Sequence, residues 1–301
     1  MPSLKAIRKR IASTKATQKI TRAMKMVAGA KLTRAQQRIV ALRPYAVKTG
    51  EVLHSVSRTM NEANEESGEA LHPLLARRAE KKALVLVLSA DRGLCGAFNT
   101  NIHKAAERVW AEKRAAGAEV VFATVGRKAR EYLGRRGANV IQDFTHIYDG
   151  LDLDKARLVT KWLVPRFEKG EVDSITLVYN EFKSAITQKV THEALLPLGN
   201  GSGPARPEAG DKFGPSDLLY EPNQRALLER LVPMYFEISV YRALLESQAS
   251  FFGAQMTAMD SATRNAKEMI ARLTLSYNRA RQAAITKELM EIIGGAEALK
   301  D

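Results

Sequence analysis

The chain has 301 residues, with 47 Lys and Arg against 33 Asp and Glu, a formal net charge of +14 and 45% hydrophobic content. That length suits one large domain or two ordinary ones, and no run of eighteen apolar residues is present to cross a membrane. The single cysteine, Cys95, excludes an internal disulfide and a thiolate zinc site, and the five scattered histidines show no metal-ligand spacing, so neither metal nor cofactor is expected.

The first fifty residues hold thirteen Lys and Arg and no Asp or Glu, so they carry nearly all of the excess charge. They also read as helix. Leu4, Ile7, Ile11, Thr14, Gln18, Thr21, Lys25, Ala28, Leu32, Ala35, Ile39, Leu42 and Ala46 follow steps of three and four without a slip. That is a coiled-coil seam with a polar middle, flanked by Met24 and Val27. Ser3 is a possible cap, Pro2 suits a helix start, and Pro44 is expected to kink or weaken the rod. The start lacks an apolar leader, which reads as a mature cytoplasmic-side protein. The polar run from Asn61 to Glu69 reads as a loop.

The middle of the chain alternates strand and helix signals. Ala83 to Leu88 is a continuous apolar run, as a buried parallel strand should be. A Gly-rich turn precedes a helix over Thr100 to Ala116. Glu119 to Val125, Asn139 to Phe144 and Ser174 to Asn180 read as further strands, with helices over Arg127 to Arg136 and Asp154 to Lys169 between them. Ser184 to His192 alternates like an edge strand. This order predicts a central doubly wound, Rossmann-like α/β domain. Residues 199–216 are rich in Gly, Pro and Ser and read as a mobile loop.

From Asn223 to Leu299 only Pro233 and Gly253 interrupt a helical pattern before Gly294. From Pro233 that is roughly 60 residues, or about 90 Å of helix. The expected seam is Ile238, Tyr241, Leu245, Gln248, Phe252, Gln255, Met259, Ala262, Ala266, Met269, Leu273, Ser276, Ala280, Ala283, Lys287 and Met290. The two terminal helices should pair antiparallel. That pairing should set Lys5, Arg8, Lys9 and Arg10 against Glu288, Glu291 and Glu297. The expected fold is therefore α/β: a long antiparallel two-helix coiled coil from the N- and C-terminal segments plus the central domain. The expected divisions are 1–60 (first shaft helix), 61–80 (linker), 81–198 (α/β domain), 199–216 (loop) and 217–301 (second shaft helix).

Catalytic chemistry finds little footing. Ser89 to Asn99 lies where a phosphate-binding turn would lie, but it matches neither GxGxxG nor GxxxxGK[ST] and reads as a structural turn. Asp149, Asp152 and Asp154 read as a helix cap and solvated charge. No Ser/His/Asp or Cys/His set has a usable spacing. The basic rod could bind nucleic acid, but it has one aromatic residue, Tyr45, and so lacks a stacking platform.

The stretch Ile285-Thr286-Lys287-Glu288-Leu289-Met290-Glu291-Ile292-Ile293-Gly294-Gly295-Ala296-Glu297-Ala298 closely resembles the signature of the gamma subunit of F-type ATP synthases. So do Tyr277 to Ala283, Ile7 to Ile11, Met24 to Ala28, Ser89 to Asn99 and Ala258 to Thr263, in the same order along the chain. The resemblance implies a non-catalytic rotor, one copy per complex, inside a ring of alternating alpha and beta subunits. Its α/β domain would rest on the epsilon subunit and the membrane c-ring, on the cytoplasmic face of the bacterial inner membrane. It further implies beta contacts at Met24, Lys25, Arg279, Gln282, Thr286 and Glu288. An apolar bearing tip would hold Leu289, Ile292, Ile293 and Leu299, and foot contacts would involve Tyr220 and Glu221. One departure stands out: Phe251-Phe252-Gly253-Ala254-Gln255 replaces charges that the family places before Met-Thr-Ala-Met. The alternative reading is a basic coiled-coil protein binding nucleic acid or another acidic scaffold. A third, an α/β enzyme with helical arms, lacks site residues. An acid-free rod would also leave its cations without carboxylates of their own.

Overall fold

The computed structural model describes residues 3–63, 72–76, 78–197 and 223–297. The expected loop at 199–216, Leu299, Tyr220 and Glu221 lie outside the described residues.

Two long helices open and close the described chain: α1, Leu4–Ala63, and α5, Gln224–Glu297. Ser3 starts α1 as expected, its Oγ accepting from Ala6 N at 3.3 Å. Neither proline ends its helix. Pro44 is exposed, so the carbonyl its ring leaves unbonded can turn to solvent, and α1 continues past the expected loop start at Asn61 to Ala63.

Between them lie β1 (Lys82–Leu88), α2 (Phe98–Ala115), β2 (Glu119–Val125), α3 (Arg127–Arg135), β3 (Val140–Phe144), α4 (Leu153–Glu168), β4 (Ser174–Phe182) and β5 (Gln188–Leu196). The sheet order is β3-β2-β1-β4-β5. The first four strands are parallel, and β5 pairs antiparallel with β4 at the edge. β5 begins later than expected because residues 184–187 make the reversal: Ser184 N donates to Thr187 O and Thr187 N to Ser184 Oγ, each at 3.0 Å.

The apolar run of β1 is buried on both faces because it is the middle strand. Leu84, Leu86 and Leu88 point into one core with Ile175 and Leu177 of β4, Val159, Leu163 and Phe167 of α4, and Phe236 and Leu244 of α5. Val85 and Val87 point into the other, with Phe122 of β2, Ile102 and Ala106 of α2, and Leu133 of α3. Each such aliphatic or aromatic side chain contributes about 1.5–3 kcal/mol on burial. The crossing from β2 into α3 requires glycine: Gly126 has φ +91°, and a Cβ there would lie 2.5 Å from Ser89 O. Ser89 is buried beside it and its Oγ accepts from Ala129 N at 2.8 Å, so the end of β1 is tied to the start of α3.

The chain separates into two compact units, residues 1–29 with 255–301, and residues 30–254. The first is a helix pair and the second contains the sheet.

Candidate functional site

In the helix pair the contacts define an antiparallel register. The hydroxyls of Thr21 and Thr263 lie 2.8 Å apart, Lys25 Nζ donates to Asp260 Oδ1 at 2.5 Å, and a Cβ on Gly29 would meet Met256 Sδ at 3.5 Å. Contacting numbers thus sum to 284 or 285, so Leu4 stands level with residues 280–281. Every seam position expected on α1 from Leu4 to Ala28 is at least partly buried, and Ile7, Thr21 and Ala28 fully so. The polar layer at Thr14, Gln18, Thr21 and Lys25 specifies register at a cost in packing.

On α5 the seam differs from expectation in phase. Met259, Ala266, Leu273 and Ala280 keep their places, but Ile270, Tyr277 and Ala284 are shielded where Met269, Ser276 and Ala283 were expected. Met269 is exposed instead. The run of small and mixed residues there satisfies either alternation of three and four, and only the facing helix selects one.

The register also corrects the expected charge pairing. Lys5 to Arg10 stand opposite residues 274–280, so Glu288 and Glu291 lie beyond the start of α1. Glu291 pairs instead with Lys287 on its own helix, at 3.5 Å. Nor do all the cations of α1 lack carboxylates in the chain. Asp260 accepts from Lys25, whose side chain is 44% exposed, and lies 3.3 Å from Arg264 Nη2. The Lys25 hydrogen bond, with burial opposing, holds the Asp260 carboxyl below its ordinary range. Asp260 is a participant that the basic-rod reading missed, and its signal was its position in the motif Ala258 to Thr263.

Of the other candidate residues, Met24 is half-buried, while Arg279, Gln282, Thr286 and Glu288 are exposed. Leu289, Ile292 and Ile293 are exposed as well, joined by Ile285 and Met290. All of α5 from Ile285 to Ile293 is exposed, and the register sets it past Leu4, where α1 starts. Three further large apolar residues of α1, Ile20, Met26 and Val27, are exposed.

Among the described residues of the unit 30–254 there is no catalytic constellation. The turn Ser89 to Asn99 is occupied with its own contacts: Asn99 Oδ1 accepts from Ala90 N at 3.1 Å, and Asn99 Nδ2 donates to Cys95 Sγ at 3.3 Å. Burial pushes the Cys95 thiol up, away from a reactive thiolate. Phe251 of α5 packs edge-on against Phe98 at the start of α2, at 5.7 Å. Lys31 lies over the Phe252 ring at 5.6 Å, so the departure at residues 251–252 is taken up by packing within the chain. Asp152 caps α4, accepting from Lys155 N at 3.0 Å, and Asp149 pairs with His146 at 2.9 Å. Among the described residues no group of three His, Cys, Asp or Glu could hold a metal ion.

A family model described as ATP synthase matches residues 3–299. The ATP synthase gamma chain of Sorangium cellulosum is 57% identical, over the full length of both chains. The chain belongs to the ATP synthase gamma-chain family. That makes it a non-catalytic rotor subunit of the synthase's central stalk. Among solved structures, the mitochondrial ATP synthase central stalk and c-ring of Tetrahymena thermophila contains a chain that is 26% identical, with TM-score 0.61, over 81% of this chain and 99% of that one. A chain of the Euglena gracilis mitochondrial enzyme shares the fold at TM-score 0.65 and 19% identity, over 98% of this chain and 94% of that one. These likenesses agree with the α/β domain between two long helices. They lend no support to a nucleic-acid or scaffold-binding protein, or to an independent α/β enzyme. Among the described residues no helix is long and apolar enough to cross a membrane.

Proposed function

We propose that this gamma chain turns inside a ring of alternating alpha and beta subunits and carries rotation between that ring and the membrane c-ring. The α/β domain serves as the foot, on the epsilon subunit and the c-ring. One copy serves each complex, held peripherally on the cytoplasmic face of the bacterial inner membrane. The observation that carries this reading is the end of α5. Five large apolar residues, Ile285, Leu289, Met290, Ile292 and Ile293, stand exposed past the start of α1. Exposed apolar surface of that kind marks a site for another protein, and an apolar sleeve at the top of the ring fits it. The same bearing includes Leu299.

Coupling works by differential contact. A shaft whose faces differ stabilises one conformation of each beta subunit over another as it turns, which is a population shift. Met24, Lys25, Arg279, Gln282, Thr286 and Glu288 meet beta, with Ile20, Met26 and Val27 as the apolar part of the same surface. The Lys25 ammonium has three donors. It can keep Asp260 and still meet a carboxylate of beta, so the internal pair positions the cation for that partner. Tyr220 and Glu221 belong to the foot.

Reconstitution tests this. The chain should be retained by an alpha–beta ring, and Leu289→Ser with Ile293→Ser should release it. Changing Met24 and Lys25 should reduce coupled ATP synthesis in rings that still assemble. A chain that binds DNA in a salt-sensitive complex and has no affinity for alpha–beta rings would overturn the proposal.

A further inference from the structure

Within the unit of residues 30–254, α5 is enclosed on every side along Ala243 to Ser250. Seven of the eight residues from Ala243 to Ser250 are buried, as in a helix that runs through a core. The enclosure is not only apolar. Arg242 Nη2 donates to both carboxylate oxygens of Glu193 on β5, at 3.1 and 2.9 Å, and Tyr179 OH of β4 donates to the same carboxylate at 3.2 Å. From the loop after β3, Tyr148 OH donates to Ser247 Oγ at 3.2 Å, and Tyr148 O accepts from Gln248 Nε2 at 2.9 Å. Ser250 Oγ donates to Asn180 O of β4 at 3.0 Å. A Cβ on Gly253 would come within 3.2 Å of Ala185 O in the β4–β5 turn.

These links surround the helix axis. At about 100° per residue, Arg242, Ser250, Ser247 and Gln248 stand at about 0°, 80°, 140° and 240°. Apolar contact is non-directional and resists rotation of a helix in its socket weakly. Hydrogen bonds are directional, and charge-assisted ones are the strongest. A turn of α5 about its own axis would pull donors off acceptors on several faces together. The Arg242 and Glu193 side chains are 17% and 15% exposed, so solvent and salt screen their pair little.

We infer that this collar is the joint through which torque passes between the α/β domain and α5, with Arg242–Glu193 as its principal link. The inference rests on the rotor reading above and adds to it the residues that carry the load. Arg242 and Glu193 are positioning residues. They transmit torque and take no part in ATP chemistry.

The test uses the whole ATP synthase in membrane vesicles and compares ATP hydrolysis by the detached, unloaded alpha–beta–gamma sector with ATP-driven proton pumping. In Arg242→Met and in the shape-preserving Glu193→Gln, unloaded hydrolysis should stay within about twofold of wild type, while protons pumped per ATP fall at least about threefold. The double variant Arg242→Met/Glu193→Leu replaces the pair with apolar packing, which restores stability in many buried pairs. It should regain thermal stability and still pump poorly. Normal pumping per ATP in either assembled single variant overturns the inference, and so does recovery of pumping in the double variant, since both make the pair merely structural. If the wild-type chain itself does not join an alpha–beta ring, the rotor reading fails, a result distinct from failure of the joint.

Discussion

Lys25 and Asp260 face each other across the two helices, Nζ to Oδ1, at 2.5 Å. They are 235 residues apart in sequence, and one of them lies in the segment with no acidic residue. The pair therefore supplies from α5 the charge that the opening fifty residues lack, and it does so one layer from the Thr21–Thr263 contact that marks the register.

Because both side chains are substantially exposed, the pair should add little to stability. Asp260→Asn is expected to leave the thermal unfolding midpoint close to wild type at physiological salt. Its effect should appear instead in coupling, because Lys25 loses the group that positions it. Measuring both quantities on the assembled complex separates the two. A large fall in midpoint with unchanged coupling would assign Asp260 to folding alone.

Gly126 should tolerate no side chain. A Cβ would lie 2.5 Å from Ser89 O, on backbone at φ +91°. Gly126→Ala is expected to cost about 2–3 kcal/mol, read from denaturant unfolding. Gly134→Ala, where a Cβ meets nothing within 4 Å, should be close to neutral.

The exposed end of α5 should behave as an interface and not as core. Leu289→Ser with Ile293→Ser should leave helix content by circular dichroism unchanged and make the free chain less prone to self-association. The same pair should shorten its residence in the alpha–beta ring. Loss of helix content would show that these side chains support the fold within the chain.

Glu246 gives a pH signature. Burial lifts its carboxyl to about 7 from 4.5; Arg242 lowers it, Glu181 and Glu193 raise it further, and Lys183 lowers it slightly. A folded value above the unfolded one means that the native state holds the extra proton between the two. Stability from this group is therefore fully present below about pH 4.5 and is lost as pH rises through 7. Unfolding free energy should fall across that window, and Glu246→Gln should flatten the slope. An unchanged slope in the variant would assign the dependence to other groups.

Much of this molecule is legible as a string of residues. Steps of three and four from Leu4 to Ala46 mark a helix with one shielded face, because 3.6 residues per turn brings those positions into line. The alternation of apolar runs with amphipathic segments marks a parallel sheet covered on both faces, because a crossover helix must return each strand. Both features depend on local periodicity, which needs no knowledge of the partner.

The partner decides the rest. Small residues between Met259 and Ala284 satisfy two seam phases, and only contact with α1 selects Ile270 and Tyr277 over Met269 and Ser276. The Lys25–Asp260 pair and the Arg242–Glu193 link join residues far apart along the chain, and the uncovered end of α5 is left by the register of the two helices. Their geometry is set by register and packing, quantities that belong to pairs of elements and that no single segment encodes.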